Sequence, residues 1–200
     1  MKNQTSESAY DLIFINVARF IDLTDEEKTL FKSLLKRGSA KRKEFVMQPG
    51  NIAKYEYFIT KGCLKVYSLD QNGVEHVSMF AIEDFWTGDI ASFMLQQPSS
   101  FFIKALEDSE YLMLTKKDLN HLLKEIPKFE SFYRNLYQRS LVSYISRTNQ
   151  GISLTAEERY EIFLSKYPQI ANRITQKDLA AYLGITPEFL SMIRSKMSKR

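Results

Sequence analysis

Residues 176–195 read QKDLAAYLGITPEFLSMIRS. Gly184 stands where a tight turn between two helices needs a positive φ. Ala180, four residues earlier, has a side chain small enough for the helices to cross closely. Leu179, Leu183, Ile185, Leu190 and Ile193 fall where two such helices would share a core. Thr175 can cap the first helix. Thr186, Pro187 and Glu188 open the second with a capping hydroxyl, a proline at the first helical position and a carboxylate at the positive end of the dipole. The stretch matches a helix-turn-helix along its whole length, a unit that lays its second helix in the major groove of DNA.

Charge points the same way. The 200 residues carry 28 Lys and Arg against 24 Asp and Glu, a net +4. Residues 171–200 hold Arg173, Lys177, Arg194, Lys196, Lys199 and Arg200 against Asp178 and Glu188, so six minus two places the whole excess there. A neutral body with a basic end suggests a polyanion partner for that end.

Upstream, residues 116–125 predict a short helix before Pro127. A longer one runs over residues 129–149, which hold no Gly or Pro, and Gly151 is expected to end it. At ~23 residues it would be about 34 Å long. Its apolar side chains exceed what one narrow stripe needs. One side would cover the rest of the subunit. The other would meet a second copy about a two-fold axis, through Phe129, Tyr133, Leu136, Tyr137, Leu141 and Tyr144. Thr155-Ala156-Glu157-Glu158 is a capping box for a further helix that Pro168 stops, with a short connection over 168–173.

Residues 40–115 are different in kind. They contain Gly50, Gly62, Gly73 and Gly88. Between these, β-rich runs fall at 44–47, 55–59, 63–69, 74–80, 101–105 and 110–114. Asp70-Gln71-Asn72-Gly73 is a strong hairpin signal. Short, evenly spaced strands predict a small barrel or double-stranded jelly roll. Before it, residues 7–37 read as two helices, the second opened by the capping box Thr24-Asp25-Glu26-Glu27 and ended by Gly38.

Several function classes fall away. Cys63 is the only cysteine, so no intramolecular disulfide and no four-cysteine zinc or iron–sulfur site can form within one chain. His76 and His121 lie far apart, outside any zinc-ligand spacing. Nucleophile-elbow, phosphate-loop and dinucleotide-binding motifs are absent, and an enzyme is not expected. No apolar stretch approaches the ~20 residues that span a bilayer, and the polar N-terminus argues against a signal peptide. A cytoplasmic location is expected.

A β-roll, a long helix and a C-terminal helix-turn-helix together resemble the Crp/Fnr (cyclic-AMP receptor/fumarate-nitrate regulator) family of transcription factors over nearly the whole chain. Ile185-Thr186-Pro187-Glu188-Phe189-Leu190-Ser191 is similar to a branch of the family with short C-termini. The resemblance implies an α+β protein: N-terminal helices and a cyclic-nucleotide-binding-like roll (1–126), a dimerisation helix (127–150) and an all-α DNA-binding domain (151–200) without a β-hairpin wing. It implies a homodimer on palindromic double-stranded DNA, with RNA polymerase and a small-molecule effector as further partners. The residues expected at DNA are Thr175, Gln176, Thr186, Pro187, Glu188, Ser191, Met192, Arg194 and Ser195. Arg173, Lys177, Lys196, Lys199 and Arg200 are expected on phosphates.

The family's cyclic-nucleotide cassette holds a glutamate for the ribose and an arginine for the cyclic phosphate. The corresponding residues here are Gly88, Asp89 and Ile90, then Ser99 and Ser100. Asp89 has a shorter reach than glutamate, and Ser99 replaces the arginine. The phosphate loses a charge-assisted partner worth ~1.5–3 kcal/mol. The sequence therefore argues against cyclic AMP and names no other effector; Lys104 is the one nearby cation. Haem on His76 or Cys63 is a weaker option than a structural role for either. A second reading stays open, in which the β-roll is a small-molecule-binding module whose C-terminal helices mediate protein contacts.

Overall fold

The computed structural model describes residues 4–198, with side chains from residue 10 onward. Helices α1 (Gln4–Ala18) and α2 (Asp25–Leu34) lead into eight strands: β1 (Lys36–Ala40), β2 (Phe45–Met47), β3 (Tyr55–Lys61), β4 (Leu64–Leu69), β5 (Glu75–Ala81), β6 (Trp86–Thr87), β7 (Phe102–Ala105) and β8 (Ser109–Thr115). A short α3 (Ile90–Leu95) interrupts them. Then follow α4 (Lys116–Glu125), the long α5 (Lys128–Ser153), α6 (Ala156–Lys166), α7 (Pro168–Ala171), α8 (Gln176–Leu183) and α9 (Pro187–Met197). None of the described helices is long and apolar enough to cross a membrane.

The strands form two four-stranded antiparallel sheets, ordered β1-β8-β3-β6 and β2-β7-β4-β5. Phe58, Ile59, Leu64, Val66, Ile103, Leu112 and Leu114 fill the space between and around them, fully or almost fully buried. The β4–β5 hairpin turns on the expected residues. Gly73 adopts φ 77°, and the Asp70 carboxylate accepts from the backbone N–H groups of Asn72 and Val74. Each expected strand is present within one or two residues at its ends.

Four expectations are corrected. Gly38 does not end α2. That helix stops at Leu34 because Leu35 is already extended, and Gly38 lies inside β1, opposite Tyr111 on β8. The Tyr111 ring occupies the space a Cβ would need, 2.3 Å away. Glycine there marks a close approach between a strand and an aromatic ring. Gly151 does not end α5, which continues to Ser153. The site is exposed, so glycine costs it only about 1 kcal/mol. Pro168 stops α6 and also begins the single turn α7. Finally, β1, β6 and α3 were not foreseen: β1 falls where the helical reading ran on to Gly38, and β6 and α3 are too short to show a period.

The long helix divides along its length. Phe129, Phe132 and Tyr133 are buried against the roll, and Leu136 and Tyr137 pack on the same core. Phe129 and Tyr133, expected to meet a second subunit, are thus covered within their own. Tyr137 donates its hydroxyl to Glu56 Oε1 on β3 at 2.7 Å, while Glu56 Oε2 and the Tyr133 hydroxyl, both buried, have no partner.

Glu56 is 5% exposed, and burial pushes its carboxyl from the ordinary 4.5 up to about 7 against the lowering effect of the Tyr137 hydroxyl. The unfolded chain loses this proton near pH 4.5; the folded chain keeps it until about pH 7. The native state binds more protons across that window, so stability falls as pH rises through it and levels off above. The full effect is on the order of 3 kcal/mol. Glu56→Gln keeps an acceptor for Tyr137 and cannot ionise. Urea denaturation is expected to show a smaller loss of stability between about pH 5 and pH 8 in the variant than in the wild type.

Candidate nucleic-acid interface

Local rules build the C-terminal hairpin as the sequence predicts. Thr175 caps α8 by accepting from Asp178 N at 3.1 Å. Gly184 turns the chain at φ 68°. Thr186 caps α9 by accepting from Phe189 N at 3.2 Å, and Pro187 takes the first helical position. Ala180 is fully buried at the crossing; Leu179, Leu183, Leu190 and Ile193 are nearly so, and Ile185 packs beside them. Gln176 bridges the hairpin, its amide donating to the Pro187 carbonyl at 3.0 Å.

With Leu190 and Ile193 turned inward, α9 exposes Glu188, Ser191, Met192 and Ser195. Their spacing of three, four and seven residues puts them on one face, two turns long. Met192 is 66% exposed and the neighbouring Phe189 46%, both unusual for apolar side chains. Sequence reasoning passed over Phe189; its place beside the Glu188–Met192 face was the available signal.

The cations sort less simply. Lys177 and Arg194 are exposed and without a carboxylate partner among the described residues. Arg173, expected on a phosphate, is instead held by Glu83 at 2.6 Å and Glu107 at 2.8 Å, both on the roll. Two bidentate-capable carboxylates facing one guanidinium leave it no free fork for DNA. Lys196 pairs with Glu157 at 2.7 Å but stays 58% exposed. Lys199 and Arg200 lie outside the described residues.

The hairpin is also seated on the outer face of the β4–β5 sheet. Tyr67, Val77, Phe80 and Ile82 from the roll share one core with Phe163, Leu179, Ala180 and Leu183. At its edge Lys65, 4% exposed, places its ammonium 2.6 Å from Glu75 and 2.7 Å from Asp178. Asp178 is itself buried and belongs to α8. Arg147 of α5 completes the seat, donating to the carbonyls of Ser78 and Val77 on β5 and Tyr182 on α8.

The degenerate cassette looks inward on itself. Asp89 caps α3, accepting from Ser92 N at 3.1 Å. The Ser92 hydroxyl accepts from Ala53 N and donates to the Gln97 carbonyl. Ser99, 6% exposed, accepts from Phe101 N at 2.9 Å. Ile90 and Ser100 are exposed. Lys104 alternates with inward Ile103 and Ala105, so it lies on the outer face, its ammonium 4.8 Å from the Phe45 ring centroid.

A model of the cyclic nucleotide-binding domain matches residues 37–126. The chain is 23% identical to regulatory protein HlyX of Actinobacillus pleuropneumoniae over 191 residues, covering 88% of this chain and 78% of that one. It is 25% identical to the anaerobic regulatory protein of Pasteurella multocida, with 88% and 68% covered. In fold it is similar to FixK2 of Bradyrhizobium japonicum, with a TM-score of 0.74 and 18% identity over 82% of this chain and 85% of that one.

Replacing Lys65 by methionine would leave Glu75 and Asp178 facing each other at the seat without their cation. Breaking a buried ion pair from one side costs about 3–5 kcal/mol. Lys65→Met is expected to lower the unfolding free energy by that order in urea denaturation, with the double variant Lys65→Met/Asp178→Leu recovering part of the loss.

Proposed function

We propose that this chain, a transcription regulator of the Crp/Fnr type, works as a homodimer that presents one α9 to the major groove of each half of a palindromic DNA site. The observation that carries the reading is the two-turn face of α9. Glu188, Ser191, Met192 and Ser195 are exposed together while the opposite face is buried. Glu188 can accept from a cytosine amino group, and Met192 can pack on a thymine methyl. Lys177 and Arg194 flank this face and suit phosphates. Thr175, Thr186, Gln176 and Pro187 hold the hairpin in shape, and any contact they make with the DNA backbone is secondary to that.

The dimer reading rests on the second half of α5. Leu141, Val142, Tyr144 and Ile145 are 57%, 66%, 71% and 49% exposed, and Ile152 is 81% exposed. Positions 141, 145, 148 and 152 continue a seam of alternating four- and three-residue steps, the geometry of a parallel helix pair. The exposed apolar cluster at 141–145, with Ile152 two turns further on and the polar Thr148 between, marks an interaction surface. Of the six residues expected in the dimer, Leu141 and Tyr144 suit this seam. Leu136 and Tyr137 would lie at its edge.

The roll in this reading does not respond to cyclic AMP. Ser99 and Asp89 have internal partners, and Lys104 is on the wrong face to receive a cyclic phosphate.

Four experiments test the reading. Sedimentation of Leu141→Glu/Ile145→Glu is expected to give a monomer where the wild type gives a dimer; a dimer surviving both changes would overturn the seam. DNA selected from a random pool should be two-fold symmetric, with half-sites ~34 Å apart. On that DNA, two to three phosphate contacts per subunit predict a log–log salt slope of about −4 to −5. Glu188→Ala should relax preference at one position per half-site by ~1–3 kcal/mol. If it lowers stability instead and leaves preference unchanged, Glu188 serves only the helix dipole.

A further inference from the structure

Where β5, α5, α6 and α8 meet, they enclose a cleft of about 220 Å³. Its charge is one-sided. Arg147, Arg159, Lys166 and His76 line it, and no Asp or Glu does. Arg147 lies 3.9 Å over the Tyr182 ring, and its hydrogen-bond partners are backbone carbonyls alone. Arg159 donates to the carbonyls of Leu154 and Leu183, at 2.8 and 3.1 Å, and its Nε–H is buried with no partner. Lys166 reaches the Ser143 hydroxyl at 3.3 Å. Among the described residues, none of these three cations has a carboxylate within 4.0 Å, whereas His76 holds Asp70 at 3.2 Å.

This contrasts with the rest of the molecule. Lys65 and Arg173 at the seat each have two carboxylates, whereas half-buried Arg147 and Arg159 have none and Lys166 stands exposed at the rim of the cleft. Cations withdrawn from solvent are ordinarily matched by anions, because carbonyl dipoles replace hydration without cancelling charge. Here burial pulls the Arg147 guanidinium below its ordinary value. The cleft is also smaller than the ~300–1,000 Å³ of sites for drug-sized ligands, so it suits a compact anion.

We propose that this cleft binds a small oxyanion, a phosphate or a short polycarboxylate, on the Lys166 ammonium, with the Arg147 and Arg159 guanidinium groups that line it supplying further positive charge. Such a ligand would tie α8 to α5 and α6, because Arg159 and Arg147 already reach the carbonyls of Leu183 and Tyr182 on α8. It would thereby set how firmly the hairpin is seated. This regulatory part rests on the reading of α9 as the DNA-contacting helix; the binding part does not.

Calorimetry on the full chain with inorganic phosphate, pyrophosphate and citrate, at ionic strength held constant with sodium chloride, tests the binding. Saturable one-to-one binding of at least one of them is expected, and which one separates phosphate from carboxylate chemistry. Each charge-assisted hydrogen bond lost should weaken binding about tenfold or more. Lys166→Gln should therefore show that loss and Arg159→Gln, which removes a neighbouring charge, should weaken binding in the same direction, while Lys104→Gln, a cation on the outer face of the roll, should bind as the wild type does. Should Arg159→Gln fail to fold, Lys166→Gln carries the test, its exposed side chain touching only the Ser143 hydroxyl and the Tyr167 ring. No saturable binding of any of the three anions, or binding indifferent to Lys166→Gln, would overturn the site. Mobility shifts with and without the bound anion then test regulation: unchanged DNA affinity overturns that part alone. A wild type that binds the anion but no DNA overturns the proposed function and leaves the site standing.

Discussion

Strand β4 is buried on both faces, and each face needs its own cover. Leu64 and Val66 point between the two sheets. Lys65 and Tyr67 point the other way, onto α8 and its neighbours. An antiparallel sheet of this kind could face water on its outer side. Here that side carries Tyr67, Val77 and Phe80, which water would not tolerate as a contiguous patch. The C-terminal helices supply the cover, and they complete their own core in doing so. Eight- and eleven-residue helices have too little area to close a core alone. The placement of α9, and hence the direction its exposed face looks, follows from this one shared surface.

The polar contacts around that surface give it a register. An apolar interface tolerates sliding; a buried ammonium between two carboxylates does not, because any shift leaves a charge unpaired in a poor dielectric. Lys65 with Glu75 and Asp178, and Arg173 with Glu83 and Glu107, fix the hairpin against the roll from two sides. Such pairs add little to net stability and much to uniqueness of position.

The long helix joins these parts by changing its role along its length. Its first turns are anchored by Phe129, Phe132 and Tyr133 among the aromatic side chains of the roll. Its middle turns carry apolar residues that nothing among the described residues covers. Arg147, near its end, grips both the sheet and α8. Held at both ends, α5 joins the roll to the hairpin without a separate linker.

The sequence by itself determined whatever acts within a few residues. Caps at Thr24, Thr155, Thr175 and Thr186, the left-handed glycines Gly73 and Gly184, the alternation of the strands and the whole helix-turn-helix were legible, because each rests on a hydrogen bond or a φ angle set by near neighbours. So was the loss of the cassette arginine, which is a matter of residue type. Only the tertiary structure decided the rest. Gly38 and Gly151 look alike as helix terminators; a ring from β8 and plain solvent give them opposite roles. Phe129 and Leu141 are equally apolar on one helix, and the position of the roll divides them. Arg173 reads as a phosphate ligand until Glu83, 90 residues away, is brought beside it, and Lys65 meets Asp178 across 113 residues. Long charged side chains choose partners by proximity in space, and the fold alone sets that proximity.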